Sequence, residues 1–271
     1  MHPVFIIALV CGALYAGIRW FEWRNVFHPS RRMQGDPGDV GLAFEDVIFF
    51  AEDGTRLFGW WIPHPEATGT ILYCHGNAGN ISTRVNVCAG LHQLKVNVFV
   101  FDYRGYGHSR GWPGEIGLAR DARAAYEVVR ARYDDADEPP VIIYGASLGG
   151  SVAVALAAEK TARGLILEGA FTSSIDVGER WFPWLPTRMI AQYRFDALSK
   201  IMAMHLPKLI AHSPHDRVIP FDLGSQLFNA APQPKTFVSL DGEHGEAGWE
   251  QTPRFFSELH RFVTEIFPPA Q

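Results

Sequence analysis

The turn at residues 145–149 constrains this chain more than any other feature. Val141-Ile142-Ile143-Tyr144 is a short β-branched, apolar run, and it passes directly into Gly145-Ala146-Ser147-Leu148-Gly149. A small-residue segment from Ser151 to Lys160 follows, with the composition of a helix. An apolar run, a Gly-x-Ser-x-Gly turn and a helix read as one unit with a single serine at its apex. Gly145 and Gly149 remove side chains where strand and helix crowd each other, which lets Ser147 take a strained conformation with its hydroxyl exposed. The helix behind it aims free backbone N–H groups at the place where an oxyanion would form. The competing reading is an ordinary strand-to-helix turn packed with small residues.

A chain of 271 residues, 47% of them hydrophobic, can bury one sizeable core as a single α/β domain. The net charge of −5 and the pI near 6.1 leave no basic footprint for nucleic acid. Cys11, Cys74 and Cys88 are odd in number, and their spacing fits neither a zinc site nor a disulfide framework.

The N-terminus is apolar and uncharged from Val4 to Ile18, and Trp20, Phe21 and Trp23 follow among Arg19 and Arg24. A helix over the first stretch alone would be roughly 22 Å long, short of a hydrocarbon core of about 30 Å. Extension through Trp23 brings it to spanning length with tryptophans at the interface. The sequence thus predicts a membrane anchor over 1–23, with arginines 19, 24, 31 and 32 directing the following domain to the cytoplasmic side. A cleaved signal, a lipoprotein cysteine at Cys11 and a helix lying against the domain are the alternatives. Residues 24–45 carry Pro29, Gly35, Pro37, Gly38 and Gly41, and predict an extended linker over 24–44.

From Glu45 onward strand and helix patterns alternate. A hairpin over Asp46–Phe50 and Arg56–Ile62 turns at Asp53-Gly54. Strands follow at Thr70–Cys74, Val96–Phe101, Val141–Tyr144, Gly164–Glu168, Lys208–Ala211 and Thr236–Leu240. Helices fall at Ser82–Leu94, Gly117–Tyr133, Ser151–Lys160, Asp222–Ala230 and Pro253–Ile266. This rhythm predicts one α/β domain over 45–271, its sheet mainly parallel with helices on both faces. The stretch 171–205 breaks the rhythm and contains Trp181-Phe182-Pro183-Trp184-Leu185-Pro186. It reads either as an extra helix whose aromatics fill the core or as a small cap that offers Trp181 and Trp184 to a substrate.

Three further loops surround the serine in this reading. His75-Gly76-Asn77-Ala78-Gly79-Asn80 leaves the strand at Cys74, and the N–H groups of Asn77 and Leu148 are the candidate oxyanion donors. His75 itself reads as a loop-fixing residue. Asp216 follows the strand at Ala211 and His244 follows the last strand, which gives the order Ser147, Asp216, His244. His244 would take the hydroxyl proton, and Asp216 would set its tautomer. Asp222 and Asp241 are the rival acids, read instead as a helix first-turn charge and a turn residue. His212-x-x-His215-Asp216 could be read as a metal site, but no further ligand completes the spacing. Glu246 reads as a solvated neighbour of His244.

Together these segments resemble the α/β-hydrolase superfamily, and more narrowly its membrane-anchored Bem46 type. The residues that carry the resemblance are 75–80, Phe101 to Ser109, Gly145 to Gly150, Glu168 to Thr172, Asp216 to Pro220 and the loop at His244. His212-Ser213-Pro214-His215 departs from the small or charged residues usual in relatives. The resemblance implies a serine hydrolase with Ser147, Asp216 and His244 as its triad, no cofactor and an ester or thioester substrate. It also makes Tyr103 a possible substrate contact, with packing as the other reading. The anchor and the aromatic insertion favour a small-molecule or lipid-like acyl ester. A serine peptidase, an acyltransferase and a catalytically silent binding protein are the alternatives.

Overall fold

The apolar runs form the strands that their alternation predicts. The computed structural model describes residues 3–134, 138–245 and 248–268. An antiparallel hairpin, β2 (Glu45–Phe50) and β3 (Arg56–Ile62), opens the main sheet. The remaining strands are β4 (Thr70–Cys74), β6 (Asn97–Asp102), β7 (Val141–Ala146), β8 (Gly164–Glu168), β9 (Lys208–His212) and β10 (Lys235–Ser239). Their order across the sheet is β10-β9-β8-β7-β4-β6-β3-β2, and β3 meets β6 antiparallel while the strands from β6 to β10 are mutually parallel. Because these strands run the same way, the loops after β4, β7, β8, β9 and β10 gather at one edge.

Both faces of the sheet are covered, as the continuous apolar strands require. Helix α3 (Glu115–Arg130) buries Leu118, Ala122, Ala125, Tyr126 and Val129, a helical stripe, against the face carrying Leu72 and Phe101. Helix α4 (Leu148–Ala157) packs on that same face. Helices α2 (Val85–His92) and α9 (Pro253–Ile266) cover the other, where Tyr73, Val100 and Tyr144 point. Helix α8 (Phe221–Ala230) packs against β9. The insertion forms three short helices, α5 (Ser174–Trp181), α6 (Thr187–Ile190) and α7 (Leu198–Ile201).

The N-terminal expectations need correction. Residues Pro3–Val26 form one helix, α1, but among the described residues no helix is long and apolar enough to cross a membrane. Its C-terminal half is instead docked on the domain. Trp23 donates its Nε1–H to Pro113 O at 3.2 Å, and Glu22 accepts the backbone N–H groups of Gln192 and Tyr193 at 2.7 and 2.8 Å. Phe27 is only 2% exposed, edge-on to Tyr193 and Phe195. The segment 24–44 is therefore no free linker. Its first residues end α1, His28–Pro29 form β1, which pairs with β5 (Ala78–Gly79), and Asn80 donates to the carbonyls of Ser30 and Arg32. Only part of it is extended, since Pro37–Val40 turn as a 3-10 helix, and its backbone groups found long-range partners. Two of the arginines used to orient the anchor are engaged within the fold, Arg19 with Glu22 and Arg31 with Ser109 O.

One buried ion pair joins the hairpin tip to α3. Arg104 binds Asp121 through both Nε and Nη2 and reaches Asp53 at 2.8 Å. Asp121 is fully buried. Replacing Arg104 with Ala strands that carboxyl and is expected to cost about 3–5 kcal/mol, read as a lower urea midpoint. A wild-type midpoint contradicts this role.

Candidate functional site

Ser147 sits where β7 turns into α4, with φ 52° and ψ −120°. A non-glycine residue there carries roughly 1–3 kcal/mol of strain. Crowding enforces it. A Cβ on Gly149 would lie 2.0 Å from Cys74 O, and one on Gly145 would lie 2.3 Å from Gly149 O. The Ser147 N–H donates to Glu168 O at 2.8 Å, which ties the turn to β8.

The structure brings Asp216 and His244 to this serine. His244 Nδ1 lies 2.6 Å from Asp216 Oδ2, and His244 Nε2 lies 3.0 Å from Ser147 Oγ. An ionised carboxylate only accepts, so Nδ1 carries the proton and Nε2 is left to accept from the serine hydroxyl. The Asp216 side chain is 2% exposed. Burial pushes its pKa up, but hydrogen bonds from His212, His244 and the Ile219 N–H outweigh burial and hold the carboxyl well below the ordinary range. Its second oxygen accepts the N–H groups of Val218 and Ile219 at 2.8 and 2.7 Å.

The rivals lie elsewhere. Asp222 pairs with Arg180, and Asp241 is exposed with its N–H on Thr252 Oγ1. His212 is buried, its Nε2 shared between Ile219 O at 3.0 Å and Asp216 Oδ2 at 3.4 Å, so it orients the acid instead of ligating a metal. His215 is exposed. His75 is buried, with Nδ1 on Gly76 O and its ring 4.5 Å from that of Tyr103. Glu246 lies outside the described residues.

Asn77, Leu148, Ser147 and His244 all line one cavity of about 880 Å³. The Asn77 side chain fixes its own loop, because Oδ1 accepts from the His28 N–H and the Tyr106 hydroxyl at 3.0 Å each. The cap supplies Phe182, Leu185 and Trp181 to the lining, and α1 supplies Ile18, Phe21 and Val26. Trp181 also donates to Val218 O at 2.9 Å, which latches the cap to the acid loop.

Two expected substrate contacts are corrected. Tyr103 is fully buried and its hydroxyl donates to His75 O, so it supports the loop from beneath. Trp184 is 75% exposed and outside the cavity lining, stacked edge-on against Phe182. The insertion's aromatics thus divide. Tyr193 is half-buried and Phe195 buried, both against Phe27, while Trp181 lines the cavity and Trp184 faces outward.

Sequence reasoning assigned no role to Glu168, yet it steadies the histidine loop. Its carboxylate accepts the Gly248 N–H at 2.6 Å and the Tyr144 hydroxyl. A charge ending the apolar run Leu165-Ile166-Leu167 was the available signal. Ser213 adds a hydroxyl bond to Gly242 O.

The fold and this loop order define an α/β-hydrolase. The sequence matches the family described as serine aminopeptidase, S33, over residues 65–200. An uncharacterized protein of Mycobacterium tuberculosis is 36% identical over 265 residues, 97% of this chain and 94% of its own. Protein bem46 of Schizosaccharomyces pombe is 32% identical over 191 residues, 68% of this chain and 64% of its own. A Pyrococcus furiosus esterase has a TM-score of 0.74 at 18% identity, over 89% of this chain and 98% of that one, a likeness of fold alone. The chain belongs to the α/β-hydrolase superfamily as a member of the Bem46 type, and with it to the serine hydrolases.

A buried carboxyl beneath the 75–80 loop gives a pH test. Asp102 Oδ1 accepts the Ile81 N–H at 2.9 Å. Burial pushes the Asp102 pKa from 3.8 up to about 7, against the lowering hydrogen bonds of Ile81 and His108. The folded protein holds this proton more tightly than the unfolded chain, so the group's contribution falls as pH rises from 3.8 to about 7. Asp102→Asn removes that dependence. The variant's urea midpoint should gain on wild type across this window, and parallel curves would contradict the assignment.

Proposed function

We propose that this protein hydrolyses a carboxylester or thioester of a lipid-like acyl group through an acyl-enzyme on Ser147. The observation that carries the reading is the hydrogen-bond chain from Ser147 Oγ through His244 to Asp216 at an apolar cavity. Ser147 Oγ attacks the carbonyl carbon while His244 Nε2 takes its proton. The N–H groups of Asn77 and Leu148 hold the oxyanion. The imidazolium, stabilised by ionised Asp216, returns the proton to the leaving alkoxide or thiolate. Water, deprotonated by the same nitrogen, then releases the acid and restores the serine. This cycle uses no cofactor.

The description of the matching family favours a peptidase as the second reading. An aminopeptidase needs free carboxylates for the substrate amine. Among the described residues the cavity's acids are Glu22 and Glu250, and Glu22 already accepts two backbone N–H groups. That supports the ester reading.

The same proposal seats the protein on a lipid surface through α1. Leu9, Val10, Leu14, Tyr15 and Trp20 of this helix are exposed. Exposed Trp112 contacts Trp23 of α1, and exposed Trp184 connects to Phe21 through Phe182. Tryptophans around an apolar helix suit a membrane interface. The exposed Arg24 and Arg32 favour the cytoplasmic leaflet.

A fluorophosphonate probe should label the wild type and fail on Ser147→Ala and His244→Ala. Asp216→Asn should lower ester turnover about ten-thousandfold. Labelling that survives Ser147→Ala contradicts the nucleophile. For the surface, the protein should co-sediment with anionic lipid vesicles, and Leu9→Asp with Leu14→Asp should release it. Equal sedimentation of both proteins counts against α1 as the contact.

A further inference from the structure

Resting on the acyl-hydrolase reading above, we propose that the groove between α1 and the cap is the acyl-chain subsite. Ile18 and Phe21 of the N-terminal helix are then the residues that set acyl-chain length. Both line the cavity that holds Ser147 and His244. At about 880 Å³ it lies near the upper end of the 300–1,000 Å³ usual for small-molecule sites. An acetyl group would leave most of that space unfilled. Opposite α1, the cap contributes the apolar side chains of Ile175, Phe182 and Leu185.

The helix is a built wall. Its Glu22 carboxylate ties down the backbone of Gln192 and Tyr193 at the end of the cap. Arg19 reaches Ile190 O and lies 2.9 Å from Glu22, and Phe21 sits edge-on to Phe182 at 5.5 Å. Beyond the helix, the His28 N–H holds the Asn77 side chain in the oxyanion loop. One continuous segment therefore closes the apolar end of the cavity and braces its reacting end. A substrate chain leaving the Ser147 carbonyl along this groove replaces water against Ile18 and Phe21, and each methylene so buried raises affinity about fourfold.

The test is a p-nitrophenyl ester series from acetate to dodecanoate on the full chain, comparing wild type with Phe21→Ala and Ile18→Ala. Both variants should hydrolyse acetate within about twofold of wild type, which reports an intact fold and reacting centre. On the long esters kcat/KM should fall on the order of tenfold, mostly through KM. Phe21→Trp should move the preferred length toward shorter chains. A uniform loss at every length, or an unchanged profile, overturns the inference while leaving the hydrolase reading intact. A wild type inactive on every ester, or Ser147→Ala retaining turnover, overturns both.

Discussion

The approach of α4 to the ends of β4 and β7 governs the rest of this site. A side chain at Gly149 would run into the carbonyls of Cys74 and His75, and one at Gly145 into Gly149 O and Ala153. Two glycines allow the helix to start at the sheet's edge, and Ser147 absorbs the reversal with a positive φ of 52°. The strain is held by a close-packed surround, because α4 is buried along most of its length and the Ser147 N–H is bound to β8. A parallel sheet then brings the loops after β8, β9 and β10 to the same serine without further design.

Those loops are fixed by polar groups set beneath them. Glu168 holds the histidine loop at Gly248, and Ser213 holds it at Gly242. His212 approaches the same Asp216 oxygen that His244 binds, and two backbone N–H groups hold the other. Tyr106 and His28 fix Asn77. Each of these bonds is made within the fold itself, so the arrangement of Ser147, His244 and Asp216 is already set there. The N-terminal segment takes part in this order. Its helix walls the cavity and its short strand pairs with Ala78–Gly79 of the loop that follows β4.

Local chemistry made the strand–turn–helix at Ser147, the Asp53-Gly54 hairpin and the loops that carry Asp216 and His244 legible in the sequence. Each is written in neighbouring residues or in chain order. What escaped depends on which distant segments meet. Tyr103 belongs to a recognisable motif, but nothing local says that its hydroxyl turns inward to His75 O. Trp181 and Trp184 stand three positions apart on the insertion, yet one lines the cavity and the other faces outward. The apolar N-terminus matches a membrane anchor by composition. Its docking through Glu22, Trp23 and Phe27 rests on contacts far along the chain, which periodicity does not encode.

The central claim is that Asn77, Leu148, His244 and Asp216 converge on one reacting centre at Ser147. A crystal structure of the protein inactivated with an alkyl phosphonate tests it most directly, since the tetrahedral phosphorus stands in for the attacked carbonyl. The account predicts phosphorus bonded to Ser147 Oγ, with one oxygen about 3 Å from the amide nitrogens of both Asn77 and Leu148. An adduct on another residue, or a phosphonyl oxygen turned away from both amides, would contradict it.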